Sequence, residues 1–191
     1  MQNFNGRLYP DEFIPFLERF DKAGYKAEME QLIDTAFQKL QEQPPPFEIY
    51  TCCIGTDIYD ITSGISLDSY ENSEAHRENA HQAYTKWYAS RLEQNTLPKK
   101  SPPPDKATIQ RNYDNPANYS LPLFSSVVHR SIPDRFEFHT QRKCWYEIWP
   151  LQKLALEYAV ERGKQRSGLH PAFEIFIIGM EGKKGYLYRK S

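Results

Sequence analysis

Nothing in this chain approaches the run of roughly twenty apolar residues needed to cross a bilayer, so a helical membrane protein is not expected. Cysteine is nearly absent: there are three, and Cys52 and Cys53 are neighbours. An odd count leaves one thiol over and adjacent residues bridge only with strain, which excludes a disulfide scaffold and fits a reducing cytoplasm. Glycine is also sparse. The one Gly-rich stretch, Gly179-Met180-Glu181-Gly182-Lys183-Lys184-Gly185, lacks the spacing of a phosphate-binding loop and no helix follows it, so a hairpin turn is the better reading. The opening residues, Met1 to Arg7, are polar, and no targeting segment is expected.

One absence is local. Between residues 40 and 76 there is no Lys or Arg, while Glu42, Glu48, Asp57, Asp60, Asp68, Glu71 and Glu74 supply seven carboxylates. Residues 130–191 lean the other way, with 12 cations against seven anions, although the whole chain carries a net charge of only −1. Near-neutrality argues against a surface built throughout for phosphate backbones.

What is present suffices for a packed core. Of 191 residues, 39% are hydrophobic, 14% aromatic and 26% charged, too apolar for a disordered acidic tail. Residues 1–191 are expected to form one α+β domain, with several long helices on a mainly antiparallel sheet built from N- and C-terminal hairpins.

The elements follow from periodicity. Phe13, Phe16, Leu17 and Phe20 have helical spacing, with Pro15 tolerable only in an opening turn. Tyr25, Met29, Leu32, Ile33, Ala36, Phe37 and Leu40 keep the 3.6-residue period until Pro44-Pro45-Pro46, with Glu28, Glu30 and Asp34 off that stripe. Residues 47–54 and 58–61 read as a hairpin turning at Gly55-Thr56-Asp57. Asp68 resembles a helix cap, with Glu71 three residues later, and Ala80, Tyr84, Trp87, Tyr88 and Arg91 continue a helical face to about Gln94. Prolines 98, 102, 103, 104 and 116 make residues 95–120 a surface loop. Strands are expected at 123–129 and 132–139, then a helix with Pro150 in its first turn ending at Gly163, then a terminal hairpin. Phe47-Glu48-Ile49-Tyr50 is echoed by Phe173-Glu174-Ile175-Phe176, too short a match to establish a repeat.

Candidate chemistry is thin. His76 and His81 stand five residues apart, about 140° around a helix, so they cannot readily share one metal ion. Cys52 and Cys53 point to opposite faces of a strand. Cys144 has Arg142 and Lys143 beside it and His139 upstream, a setting that lowers a thiol pKa but does not by itself place a base. No family motif, catalytic triad, zinc pattern or nucleotide loop is legible, and no cofactor or bound metal is expected.

The acidic, Tyr-bearing stretch remains. Asp57, Tyr59, Asp60, Asp68, Tyr70, Glu71 and Glu74 read as a surface for a basic protein partner, with carboxylates steering the encounter and tyrosines supplying rigid contact area. The expected function is a cytoplasmic protein-binding module, such as an immunity or antitoxin-like neutraliser, rather than an enzyme. Two alternatives share the same residues or their counterweight. Asp57 and Asp60 with Glu71 or Glu74 could cage Mg²⁺ or Mn²⁺ in a hydrolase or nuclease. The basic C-terminal residues with Tyr186 and Tyr188 could bind single-stranded nucleic acid, a less favoured reading because they fall on several elements.

Overall fold

The computed structural model describes residues 2–4, 7–57, 60–94, 96, 105–106, 116–133, 138–164, 167–178 and 184–189, and their side chains except those of 2–4, 7–8, 138–145 and 184–189. A small ribbon, β1 (Gln2–Phe4) and β2 (Arg7–Tyr9), precedes a 3-10 turn (Asp11–Phe13) and the short helix α1 (Ile14–Arg19), with Pro15 in its first turn as expected. Helix α2 (Lys22–Glu42) follows, capped by Asp21, whose side chain accepts from the Gly24 N–H at 2.9 Å. Its buried residues, Tyr25, Met29, Leu32, Ile33, Ala36 and Leu40, are the ones its period selects.

The main sheet has five strands in the order β5-β4-β3-β6-β7: β3 (Ile49–Asp57), β4 (Thr62–Ser69), β5 (Leu121–Val128), β6 (Leu169–Ile178) and β7 (Lys184–Arg189). The central pair, β3 and β6, is parallel, and β3–β4, β4–β5 and β6–β7 are antiparallel, so the architecture is α+β with a mixed sheet. The two apolar stretches that echo each other in sequence are these two central strands. They read as continuous runs rather than alternations because both of their faces are covered. Ile54, Ile175 and Ile177 face the helices, while Cys53 and Phe176 lie on the other face with Tyr119. Each central strand follows a helix, α2 or α4 (Phe138–Gly163), and these two helices pack on each other and on one face of the sheet.

The remaining helix, α3 (Tyr70–Glu93), leaves directly from the end of β4. Its N-cap is Ser69, whose hydroxyl accepts from the Asn72 N–H at 3.1 Å. Asp68, the cap expected from sequence, is the penultimate residue of β4.

Three further expectations are corrected. The β3–β4 hairpin turns after Asp57 rather than at Gly55, because Gly55 and Gly64 pair in register and Thr62–Ser69 is a strand despite its polar composition. Residues 132–139 do not form one strand: Ile132 and Pro133 are irregular and Phe138 and His139 open α4. Pro150 consequently lies inside a 26-residue helix rather than in its first turn, and it is tolerated there on an exposed face. Most of the Pro-rich segment lies outside the described residues; Pro116–Asn118 is a 3-10 turn.

The edge strand β5 is guarded. Pro122 removes a donor, Leu123 adopts a left-handed φ of 47°, and the Lys39 ammonium donates to the Phe124 carbonyl at 2.7 Å. Packing of this kind separates core from margin. Ile54→Ala should cost about 2–5 kcal/mol in urea denaturation, whereas Val128→Ala on the exposed edge should stay within about 0.5 kcal/mol. Equal losses would contradict the placement of these layers.

Candidate functional site

Between the helix layer and the sheet runs a line of buried and part-buried polar side chains that the sequence did not single out. Gln152 of α4 donates to the Thr56 hydroxyl at 2.6 Å, and the Tyr25 phenol lies 3.2 Å from the same oxygen. Thr56 and Ser63, facing each other across β3 and β4, are 2.6 Å apart. Ser63 Oγ is 2.6 Å from His129 Nε2, and His129 Nδ1 is 2.8 Å from the Glu28 carboxylate of α2. Each hydroxyl has one proton to give, so facing a carboxylate fixes the direction of the whole line. His129 donates from Nδ1 to Glu28 and accepts at Nε2 from Ser63, which accepts from Thr56. Glu28 also receives the Ser131 hydroxyl and the Arg130 N–H.

A hydroxyl, an imidazole and a carboxylate at these distances are the parts of an acyl-transfer triad. Access decides against that chemistry. Ser63 and His129 are each 1% exposed, and Ser63 already accepts a second hydroxyl. The open depression of the sheet, about 480 Å³, lies on the opposite face, lined by the paired Gly55 and Gly64 together with Cys53, Ser66 and Leu123. The line therefore joins α2, β3, β4, α4 and the segment after β5.

Its ionisation states follow from its surroundings. Burial would raise the Glu28 carboxyl, but hydrogen bonds from Ser131, His129 and Arg130 overcome this and hold it below the usual carboxylate range. Burial lowers the His129 pKa, and Glu28 opposes that only in part. Burial likewise raises the Tyr25 phenol and pushes the Cys52 thiol up to about 12, with Cys53 well above its ordinary value. Neither thiol is a nucleophile at neutral pH.

The acidic residues expected to act together are divided between two ends of the sheet. Asp57 and Asp60 are exposed at the β3–β4 turn, where Asp57 accepts the Asp60 N–H at 3.3 Å; Tyr59 lies outside the described residues. Asp57 pairs with Thr62, and Asp68 lies six residues or about 20 Å further along β4, with Tyr70, Glu71 and Glu74 following on α3. Asp68 is buried there, its Oδ1 accepting from the Asn72 amide at 2.7 Å and from the Ser120 N–H and hydroxyl at 3.0 and 2.9 Å. Tyr70, 36% exposed, stacks on His170 with ring centroids 5.0 Å apart. Glu71 faces solvent and Glu74 pairs with Arg77 at 2.8 Å. Asp57 and Asp60 thus do not converge with Glu71 or Glu74, and among the described residues no group of three or more His, Cys, Asp or Glu could hold a metal ion.

Arg162 pairs with Asp34 of α2 at 2.7 Å and Lys164 with Glu161. The side chains of Arg142, Lys143, Cys144, Tyr186 and Tyr188, and residues 179–183, lie outside the description.

The surface that stands out is α3. Only Ser73 is buried on it, and from Gln82 to Glu93 every residue except Tyr88 is exposed. Tyr84 is 47% exposed and Trp87 46%, their rings stacked with centroids 5.3 Å apart, and the Arg91 guanidinium lies 5.8 Å from the Trp87 ring. The helical face read from sequence exists, and on it Ala80, Tyr84, Trp87 and Arg91 are exposed while Tyr88 is part-buried.

No protein-family model, curated protein or solved structure matches this chain.

Two expectations follow. Both Glu28 and His129 have folded pKa values below their unfolded ones, so the unfolded chain binds more protons on acidification and stability falls with pH. The loss should begin near pH 6.5 through His129 and deepen below about 4.5 through Glu28. His129→Gln should be about 1–3 kcal/mol less stable at pH 7, with a shallower decline in urea midpoint from pH 7 to 5; an unchanged slope would refute the assignment. Asp68→Ala should cost about 2–4 kcal/mol in thermal or urea unfolding, since the Asn72 and Ser120 donors lose their acceptor. A change within 0.5 kcal/mol would show that the Asp68 contacts contribute little (about the spread of a surface substitution).

Proposed function

We propose that this protein is a protein-binding module whose contact element is α3, rather than an enzyme. The observation that carries the reading is the exposure of Tyr84 and Trp87 on a helix with one buried residue. In water a helix draws most of its stability from packing an apolar face, and here that face meets the sheet only in its first turns. Large stacked aromatics beside an Arg are the side chains that dominate protein interfaces.

The basic partner expected from the acidic segment fits α3 better than it fits the sheet. Glu71 and Glu74 stand on the first two turns, near Glu78, and can steer a cationic surface onto the helix. Asp57 and Asp60, at the opposite end of β4, would contribute only through the long-range field. Asp68 is engaged internally and takes no part in contact. A neutraliser of a basic protein is one form this module could take.

The test is a double variant, Tyr84→Glu with Trp87→Glu. Since the stripe lacks cover, its thermal stability should stay within about 0.5 kcal/mol of the parent. In a pull-down from native lysate at low and then moderate salt, proteins retained by the parent should be lost from the variant. An identical bound set from both would overturn α3 as the contact element, and a large loss of stability would show the stripe to be covered.

A further inference from the structure

One atom of the polar line has no use while the line runs toward Glu28. Gln152 is fully buried and its Nε2 donates to Thr56, but its Oε1 has no hydrogen-bond partner among the described residues. A buried acceptor left unpaired is costly, and its position at the end of a row of hydroxyls points to a second state in which it is used.

The chemistry of the row supplies that state. With the His129 ring neutral, Nε2 accepts from Ser63, Ser63 from Thr56, and Thr56 from Gln152. A proton added at Nε2 turns this nitrogen from acceptor into donor, so Ser63 must accept from it. The Ser63 hydroxyl then donates to Thr56, 2.6 Å away, and the Thr56 hydroxyl is released to donate onward. At 2.6 Å it meets the Gln152 amide, and a half-turn of that amide puts Oε1 where Nε2 stood. Three hydrogen bonds exchange donor for acceptor. Two are unchanged, from His129 Nδ1 to Glu28 and from the Tyr25 hydroxyl to Thr56. The Tyr25 oxygen, 3.5 Å from the amide nitrogen, keeps an amide neighbour in either orientation. Both directions therefore leave one end of the Gln152 amide unpaired, and reversal sacrifices none of the five bonds.

The surroundings of the ring admit the charge. From α2, the Glu28 carboxylate lies 2.8 Å from Nδ1, and the Tyr25 ring packs on the imidazole with centroids 4.6 Å apart. From the strands and α4 come only the neutral side chains of Ser63, Thr56 and Gln152, and Arg130 meets Glu28 through its backbone N–H. Glu28 is thus the one ionised group acting on the ring among the described residues. An imidazolium formed there has its counter-ion already in contact. Burial outweighs that help, so the proton arrives below the ordinary histidine range.

We propose that the line is a proton-driven switch: uptake of one proton at His129 Nε2 reverses the hydrogen bonds through Ser63 and Thr56 and turns the Gln152 amide. Helix α4 thereby registers the protonation state of the segment after β5, and the chain stays folded in both states. The switch is independent of α3 and of whatever binds there.

The experiment is nuclear magnetic resonance on the ¹⁵N-labelled full chain, titrated from about pH 7.5 to about 4.5, across the ordinary histidine range. At the upper end His129 Nδ1 should carry a proton and Nε2 none. On acidification Nε2 should take one up while the spectrum remains that of a folded chain, and the Gln152 side-chain amide resonances should shift with the same midpoint. Ser63→Ala and Thr56→Val each cut the row between the two residues. In these variants the His129 ring should still titrate and the coupled Gln152 shift should be lost. Unfolding before Nε2 is protonated overturns the switch, as does a Gln152 amide that stays still while His129 titrates; both are read from the parent alone. A Gln152 amide that goes on following His129 after the row is cut overturns it too.

Discussion

The structure depends on one hydrogen-bonded line, from Gln152 through Thr56, Ser63 and His129 to Glu28. Each of these side chains would be costly to bury alone. Together their hydroxyl, ring and amide N–H groups pair in a single direction and end on a carboxylate that takes three donors, while the Gln152 Oε1 is buried without a partner among the described residues. The two packed helices, the β3–β4 hairpin and the segment after β5 all contribute. A half-formed line would leave orphaned donors beneath α2, so these elements must dock as a unit.

That placement explains why the fold was legible in parts. The α2 stripe was readable because packing and period agree from Tyr25 to Leu40. Residues 47–54 and 173–180 were readable as strands, the described part of the second ending at Ile178, since centrality in the sheet demands continuous apolar runs. Strand β4 was not. Its sequence, Thr62-Ser63-Gly64-Ile65-Ser66-Leu67-Asp68-Ser69, is mostly small and polar, and those polar groups are buried only because His129, Ser120 and Thr56 arrive from elsewhere to pair with them. The start of α4 was misread because Phe136 and Phe138 alternate with charged residues, a local pattern that the helix overrides.

The polar line itself was beyond sequence reading. Glu28 looked like a solvated residue off the α2 stripe, and His129 like the end of a strand; nothing local joins residues a hundred positions apart. The acidic segment was legible as composition but not as a surface, since the straight run of β4 carries its members to opposite ends of the sheet. Sequence did place Ala80, Tyr84, Trp87 and Arg91 on one face of a helix. It could not show that those four side chains would be exposed.

The long reach of the polar line also has a consequence for synthesis. Glu28 and His129 are 101 residues apart, and Thr56 and Gln152 are separated by 96. As the chain emerges from the ribosome, α2 and the β3–β4 hairpin are complete well before their polar partners exist. The first half must wait with Glu28, Thr56 and Ser63 hydrated, and can close only when the region around α4 has left the exit tunnel.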